Sequence, residues 1–254
     1  MKLNYKKYGE GQPLIIVHGL FGMLDNWQTL GKKFAEDFEV YLVDQRNHGH
    51  SPKSDEMNYR VMAEDLHEFI LDHNLTDVIL LGHSMGGKTV MTYATQHEEY
   101  LDKLIVVDIA PKKYPMHHQV ILEGLNSIDL SKIKSRREAD AILKNYIEDV
   151  SIRQFLLKNL YWVEKGKLEW RINIPVLTKK MEEILAETPK IRVEVPTLFI
   201  RGERSNYITE DDYQDIYNQF VNSEIETIYG VGHWVHAENP LEFYNLVMAF
   251  CKEG

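Results

Sequence analysis

One short segment of the sequence places a serine between two glycines in a pattern that is typical of nucleophilic catalysis. Residues 82–86 read Gly-His-Ser-Met-Gly, which matches the pattern G-x-S-x-G around Ser84. An apolar run precedes the motif and helical spacing follows it, which is the strand–turn–helix context that the pattern requires. Because the turn is sharp, larger side chains at Gly82 and Gly86 would collide with their surroundings. The segment therefore predicts Ser84 as a nucleophile.

A serine hydroxyl needs a base, and the sequence offers His233 for this role. His233 follows the last predicted strand and lies after Ser84 in the chain, which is the order expected for this motif. Gly232 gives its loop room to turn, and His236 is the alternative base. We predict that His233 takes the proton of Ser84 and returns it to the leaving group.

The acid that would orient this imidazole does not occupy its usual place in the sequence. The usual position follows the strand before the histidine strand, where this chain has Ser205, with Glu203 two residues earlier. Asp108 ends the strand that directly follows the nucleophile helix, a predicted sheet neighbour ~5 Å from the nucleophile strand. Asp108 is the predicted acid, although a structural role in the loop is its simpler alternative. Glu203 and Asp212 remain the other candidates.

The negative charge that forms on the substrate oxygen needs two backbone N–H donors. Met85 directly follows the nucleophile and is one predicted donor. The other comes from residues 18–22, after an early apolar run, where Leu20 is preferred and Phe21 is the alternative. His18 in the same loop is interpreted as structural, because the loop presents its backbone.

Two clusters of titratable residues are interpreted as structural. His48 and His50 lie two apart in the loop 44–51 without further ligands at the usual spacing, so we predict neither a metal nor a cofactor. A basic cluster could meet the phosphates of a coenzyme A thioester, although a solvated helix face is the simpler interpretation. The cluster comprises Lys132, Lys134, Arg136 and Arg137.

The elements around these residues alternate between short apolar runs and amphipathic stretches. Such runs, separated by helical spacing, are typical of buried parallel strands. The sequence therefore predicts an α/β fold with right-handed crossovers. The runs cover residues 3–8, 13–17, 40–43, 78–81, 104–107, 196–200 and 224–229.

The alternation stops between residues 111 and 188, where the strand runs disappear. Ser135 begins a capping box, and residues 151–161 also show helical spacing. We therefore predict an α/β core formed by residues 1–110 and 189–254, with a helical cap over the site formed by residues 111–188.

Four aromatic residues are predicted to wall an apolar substrate pocket. Tyr161 and Trp162 lie in the predicted cap, and Phe21 and Trp234 lie beside the loops of the predicted site. The same side chains would equally suit a hydrophobic core, so both interpretations stay open.

The composition favours a globular enzyme and disfavours several other classes of protein. The 254 residues are 44% hydrophobic and 27% charged, and the net charge of −10 argues against a nucleic-acid partner. A single cysteine, Cys251, excludes an intrachain disulfide framework. We recognise neither a signal peptide nor a run of ~20 apolar residues. A cytoplasmic protein without a membrane span, monomeric or homodimeric, is expected.

Four segments together resemble the small bacterial esterases of the YbfF type, within the α/β-hydrolase superfamily. They are residues 18–22, 44–51, 82–88 and 107–111. The resemblance covers nearly the whole chain and is weakest in the predicted cap. It implies an eight-stranded core, a helical cap and hydrolysis of short-chain esters or acyl thioesters. It also implies the acid at Asp108 and a serine at Ser205.

These features together predict a serine carboxylic-ester hydrolase that acts through an acyl-enzyme on a small ester or acyl thioester. Carbon–carbon bond hydrolysis or cofactor-free peroxidation on the same triad is one alternative. A ligand receptor with a hydrolase fold and little turnover is another. A haloalkane dehalogenase is disfavoured, because that chemistry uses an aspartate where Ser84 stands.

Overall fold

A computed structural model describes residues 1–252, and a mostly parallel sheet forms its centre. The strands are β1 (Tyr5–Tyr8), β2 (Pro13–Val17), β3 (Glu39–Val43), β4 (Val78–His83), β5 (Leu101–Val107), β6 (Leu160–Glu164), β7 (Lys167–Trp170), β8 (Thr197–Gly202) and β9 (Ser223–Ile228). Seven of them form one sheet in the order β1-β3-β2-β4-β5-β8-β9. Only the β1–β3 pair in this sheet is antiparallel. The other two strands, β6 and β7, form a separate antiparallel hairpin.

Within residues 1–252, eleven α-helices surround the sheet or lie in the segment between β5 and β8. They are α1 (Gln28–Phe34), α2 (Tyr59–Asp72), α3 (Met85–His97), α4 (Gln119–Asn126), α5 (Arg136–Leu143), α6 (Val150–Leu157), α7 (Ile174–Lys179), α8 (Met181–Leu185), α9 (Tyr213–Gln219), α10 (Val235–Glu238) and α11 (Pro240–Lys252). None of the helices in residues 1–252 is both long and apolar enough to cross a membrane.

The alternation of side chains along the strands explains why both faces of the sheet are covered. On β2, Ile15 and Val17 join a cluster with residues of α2 and α3. Leu14 and Ile16, one residue out of phase, join a second cluster with residues of α1 and α11. Because successive side chains of a strand point to opposite faces, a continuous apolar run needs helices on both sides. The apolar runs in the sequence therefore indicated the two helical layers correctly.

Two details of the predicted fold differ from the structure. Within residues 1–252 the central sheet has seven strands, not the eight that the resemblance implied, and the sequence itself had supplied seven apolar runs. The helix expected over residues 151–161 ends at Leu157, and β6 begins at Leu160. The aromatic and β-branched residues of β6 favour an extended strand, and Gly166 with φ 88° makes the turn to β7.

Candidate active site

Ser84 lies at the turn between β4 and α3, in a backbone conformation that residues other than glycine rarely adopt. Its φ is 53° and its ψ is −118°, and its N–H donates to the carbonyl oxygen of Val107 at 2.9 Å. A Cβ atom on Gly82 would lie 2.3 Å from the carbonyl oxygen of Gly86. A Cβ on Gly86 would lie 2.3 Å from that of Val17 on β2. Both glycines of the motif are therefore required by backbone that approaches them closely.

The imidazole of His233, in the loop between β9 and α10, joins Ser84 to Asp108. Its Nε2 lies 3.0 Å from Ser84 Oγ, and its Nδ1 lies 2.7 Å from Asp108 Oδ2. A ring that donates from Nδ1 to the carboxylate leaves Nε2 to accept the serine proton. His83 Nε2 donates to the carbonyl oxygen of His233 at 2.9 Å, and the ring of Tyr207 stacks on the imidazole with centroids 4.0 Å apart. His83 thus holds the backbone of the loop, and Tyr207 packs against the imidazole ring of His233.

Asp108 is fully buried at the end of β5, with φ 51°. Its Oδ1 accepts the N–H of Gly202 at 3.0 Å, and its Oδ2 accepts the hydroxyl of Ser205 as well as the imidazole N–H. Gly202 ends β8, and Ser205 lies in the loop after it. Both can reach Asp108 because β8 is the sheet neighbour of β5. Ser205 thus occupies the usual position of the acid in the sequence, and its hydroxyl donates a hydrogen bond to the carboxylate of Asp108.

The alternative acids and the alternative base lie elsewhere. The carboxylate of Glu203 accepts a backbone N–H of the β9–α10 loop at 2.8 Å. Asp212 accepts a hydrogen bond from Lys112 Nζ at 2.6 Å. The His236 ring stacks on Trp27 at 4.0 Å, and burial together with the neighbouring His233 lowers the pKa of His236 to about 3. None of these three groups is hydrogen-bonded to Ser84 or to the His233 ring.

The predicted oxyanion donors differ from the alternative donor in what they contact. The N–H of Phe21 donates to His48 Nε2 at 3.2 Å and is therefore engaged within the protein. The N–H groups of Leu20 and Met85 have no acceptor among residues 1–252. Met85 is the first residue of α3, where backbone N–H groups lack a partner within the helix. Leu20 and Met85 also line one cavity together with Ser84.

His18 and His48 support the loop that carries Leu20. His18 Nε2 accepts the N–H of Gln45 at 3.0 Å, and the two imidazole rings lie 5.2 Å apart. Burial lowers the pKa of His18 to about 4 and that of His48 to about 3, so both rings are neutral at pH 7. Within residues 1–252, no three His, Cys, Asp or Glu side chains are grouped so that they could hold a metal ion.

Two cavities of unequal size meet at Ser84. The larger has a volume of about 250 Å³, and its wall includes Ser84 and His233. The smaller has a volume of about 20 Å³, and its wall includes Ser84 and Met85. The segment between β5 and β8 lines the larger cavity with mainly apolar side chains, namely His117, His118, Ile121, Ile152, Phe155 and Leu156.

Two of the four aromatic residues predicted as pocket walls line the larger cavity, and two do not. Phe21 and Trp234 are part of its wall. Tyr161 and Trp162 lie on β6 instead, where the Tyr161 ring is 4.6 Å from the guanidinium of Arg171 and Trp162 is 47% exposed. The hairpin, which replaces the expected end of a helix, places both side chains outside the cavity.

Tyr207 contacts the imidazole of His233, and sequence reasoning missed it. Besides stacking on the ring, its N–H donates to Ser205 Oγ at 3.3 Å, and its hydroxyl lies 2.6 Å from His117 Nε2. Burial, followed by the charge of Asp108, raises its pKa to about 12, so the phenol stays neutral. The only signal in the sequence is its position two residues after Ser205.

Lys88 is a second residue that sequence reasoning left without a role. It lies one helical turn after Ser84 and is only 1% exposed. Its Nζ donates to the carbonyl oxygen of Lys112 at 2.6 Å and to that of Ala186. Burial lowers its pKa to about 7. A lysine among the small and apolar residues of α3 was the available signal.

A model of the alpha/beta hydrolase fold matches residues 12–240, so the chain belongs to the α/β-hydrolase family. It is 42% identical to a putative esterase/lipase of Haemophilus influenzae over 89% of this chain and 78% of that protein. It is 37% identical to esterase YbfF of Escherichia coli, over 94% and 95% respectively. The solved structure of a marine microorganism esterase is 45% identical, with a TM-score of 0.96, and the match covers 98% of this chain and 99% of that one. The protein is therefore an enzyme that hydrolyses ester bonds.

Proposed function

We propose that the protein is a serine carboxylic-ester hydrolase in which Ser84, His233 and Asp108 form the catalytic triad. The observation that carries this proposal is the unbroken set of contacts from the hydroxyl through the imidazole to a buried carboxylate, at 3.0 and 2.7 Å. In this arrangement His233 takes the proton as Ser84 attacks the carbonyl carbon. Asp108 orients the ring and stabilises the imidazolium that forms.

The reaction then proceeds through an acyl-enzyme. The N–H groups of Leu20 and Met85 stabilise the oxyanion, and His233 returns the proton to the oxygen or sulfur of the leaving group. A water molecule, deprotonated by the same imidazole, releases the acid and restores Ser84. The substrates are small esters or acyl thioesters, since the larger cavity of about 250 Å³ has mainly apolar walls.

Residues 111–188 act in this proposal as a cap over the site. The support is that side chains from α4 and α6 line the larger cavity together with Ser84. Access of substrate and exclusion of water would then depend on this segment. The free, buried Cys251 is compatible with the expected cytoplasmic location, which stays a prediction, as does a monomeric or homodimeric state.

Replacing the nucleophile tests the proposal most directly. Ser84→Ala should lower kcat for p-nitrophenyl acetate by on the order of 10⁴- to 10⁶-fold and abolish labelling by a fluorophosphonate. Ser223→Ala is the matched control, because the Ser223 hydroxyl lies on β9 and has no hydrogen-bond partner among residues 1–252. Hydrolysis by Ser84→Ala at the parent rate would refute the proposal. A parent enzyme that the fluorophosphonate does not label would favour a receptor with little turnover.

A further inference from the structure

The loop that carries Leu20 forms a tight turn whose backbone is strained. The N–H of Gly22 donates to the carbonyl oxygen of Gly19 at 3.0 Å, and Phe21, the third residue of this turn, has φ 60°. A positive φ at the third position is typical of a type II turn, where glycine is the usual residue. Because phenylalanine is disfavoured in this conformation, contacts from outside the turn are needed to hold it.

Two such contacts hold the peptide groups on either side of Phe21. Its N–H donates to His48 Nε2 at 3.2 Å, and its carbonyl oxygen accepts a hydrogen bond from Asn159 Nδ2 at 2.7 Å. Asn159 lies between α6 and β6, within residues 111–188, and is fully buried. Since a carbonyl oxygen only accepts, the amide must present its nitrogen to Phe21. The segment of residues 111–188 therefore supplies a buried donor to the turn.

This hydrogen bond is the first of a series that ends at the N–H of Leu20. The carbonyl group of Phe21 and the N–H of Gly22 belong to one peptide group, and that N–H donates to the carbonyl oxygen of Gly19. The carbonyl group of Gly19 and the N–H of Leu20 belong to the next peptide group of the series. Because hydrogen bonds in series polarise one another, a donor on the Phe21 carbonyl makes the Leu20 N–H a stronger donor.

The core of the protein supports the same series at its other end. His18 Nε2 accepts the N–H of Gln45, which leaves the ring proton on Nδ1. His18 Nδ1 donates to the carbonyl oxygen of Gly19 at 2.8 Å, so this oxygen accepts two hydrogen bonds. The peptide group that carries the Leu20 N–H is thus aligned from the core by His18 and, through the turn, from residues 111–188 by Asn159.

We propose that Asn159 is a positioning residue for ester hydrolysis, through which residues 111–188 align and polarise the N–H of Leu20 toward the oxyanion. The inference rests on the proposed roles of Ser84 and Leu20. Asn159 is not part of the wall of either cavity, so it acts through the turn and not on the substrate. Its effect is specific to the transition state, because the oxyanion forms only as Ser84 attacks the carbonyl carbon.

Asn159→Leu removes the donor and keeps a side chain of similar size. We expect kcat for p-nitrophenyl acetate, per active site titrated with a fluorophosphonate, to fall about tenfold while KM stays within about twofold of the parent. The affinity for a trifluoromethyl ketone, which forms a tetrahedral adduct with Ser84, should fall by the same factor. A merely structural role would lower the number of active sites and leave the inhibition constant of the ketone unchanged.

Asn173→Leu is the matched control, because it removes the same kind of contact at another place. Asn173 also lies in residues 111–188, and its Nδ2 donates to Asn47 Oδ1 of the core at 2.9 Å. The backbone N–H of Asn173 still donates to the carbonyl oxygen of Asn47 in this variant, so the loop 44–51 stays attached. We expect kcat and the inhibition constant to stay within about twofold of the parent. Equal losses in the two variants would overturn the proposal.

The other outcomes are distinguishable from a failure of the proposed triad. A folded Asn159→Leu with the parental kcat and inhibition constant would overturn the role of Asn159, as would a loss of kcat without a loss of affinity for the ketone. Ser84→Ala would remain inactive in both cases, so the proposed function would stand. If Asn159→Leu melts below the assay temperature, Asn159→Ser provides the same comparison, because its hydroxyl ends one bond length short of the amide nitrogen.

Discussion

The α/β sheet and the segment of residues 111–188 meet at Ser84, and they position their side chains by different means. Ser84 and Asp108 follow neighbouring parallel strands, both with positive φ, and backbone groups bond each of them. Ile121 and Phe155, in contrast, lie on short helices and contribute apolar surface alone. The positions of Ser84 and Asp108 thus depend on backbone geometry that tolerates little change. The shape of the larger cavity depends on side-chain size, which can change without moving Ser84 or Asp108.

Asp108→Asn is the change on the sheet side that should have the largest effect. The amide oxygen can still accept the N–H of Gly202, but an NH2 group in place of Oδ2 accepts neither the hydroxyl of Ser205 nor the imidazole N–H, so His233 is no longer held with its proton on Nδ1. We expect kcat for p-nitrophenyl acetate to fall about 10⁴-fold while the melting temperature changes little. Glu203→Gln is the control and should keep activity near that of the parent. Near-normal turnover in Asp108→Asn, with a collapse in Glu203→Gln, would contradict the assignment of the acid.

The buried histidines around the sheet should make the free energy of unfolding depend on pH. The pKa is lowered by burial to about 4 for His18 and to about 3 for His48 and His236, against about 6.5 in an unfolded chain. Below pH 6.5 the unfolded chain binds protons that the native protein excludes, so the free energy of unfolding falls as pH falls. At pH 5 each imidazole accounts for about 2 kcal/mol, and the three together approach the stability of a typical domain.

Urea unfolding followed by tryptophan fluorescence at pH 7.5, 6 and 5 measures this loss. His236→Phe keeps an aromatic ring beside Trp27 and should make the pH dependence shallower by about one proton. His50→Asn is the control, because it removes an exposed imidazole and not a buried one. Equal urea midpoints at pH 7.5 and pH 5 would show that these rings are not kept neutral.

The smallest effect is expected at the hairpin. Trp162 is 47% exposed and lies outside both cavities, so Trp162→Ala should change kcat/KM for acetate esters by less than about twofold. Trp234→Ala is the matched change inside the larger cavity and should raise KM for octyl acetate about tenfold. Equal losses in the two variants would mean that the hairpin contributes to substrate binding after all.

The positions of Ser84, His233 and Asp108 around the sheet could be predicted because the sequence signals for them are local. An apolar run followed by a turn motif is enough to place Ser84, and chain order together with the neighbouring Gly232 favours His233 over His236. Asp108 needed one further step, the inference that β5 lies beside β4, which the observed register agrees with. The role of Tyr207 was out of reach, because stacking on His233 depends on how two loops from different strands meet.

The segment of residues 111–188 was harder to predict for a physical reason. Its elements are short, and each gains its stability from contacts that local spacing does not reveal. The helical spacing of residues 151–161 predicted a longer helix than the structure has, because α6 ends at Leu157 and β6 begins at Leu160. Tyr161 and Trp162, the aromatic residues of the predicted cap, lie on β6 and not in the wall of the larger cavity. The apolar side chains that do line the larger cavity, such as Ile152, look like any other core residues in the sequence.

Lys88 connects the α/β sheet region to the segment of residues 111–188 through main-chain atoms of that segment, so the connection does not depend on side chains there. Its ammonium group bonds carbonyl oxygens of the main chain at residues 112 and 186, close to the two ends of the segment. Every amino acid offers such an oxygen. Sequences of different length and composition could therefore be exchanged between these two points while keeping the same anchor. If residues 111–188 are the cap of the proposed function, this anchor would stay the same while the side chains that line the larger cavity change.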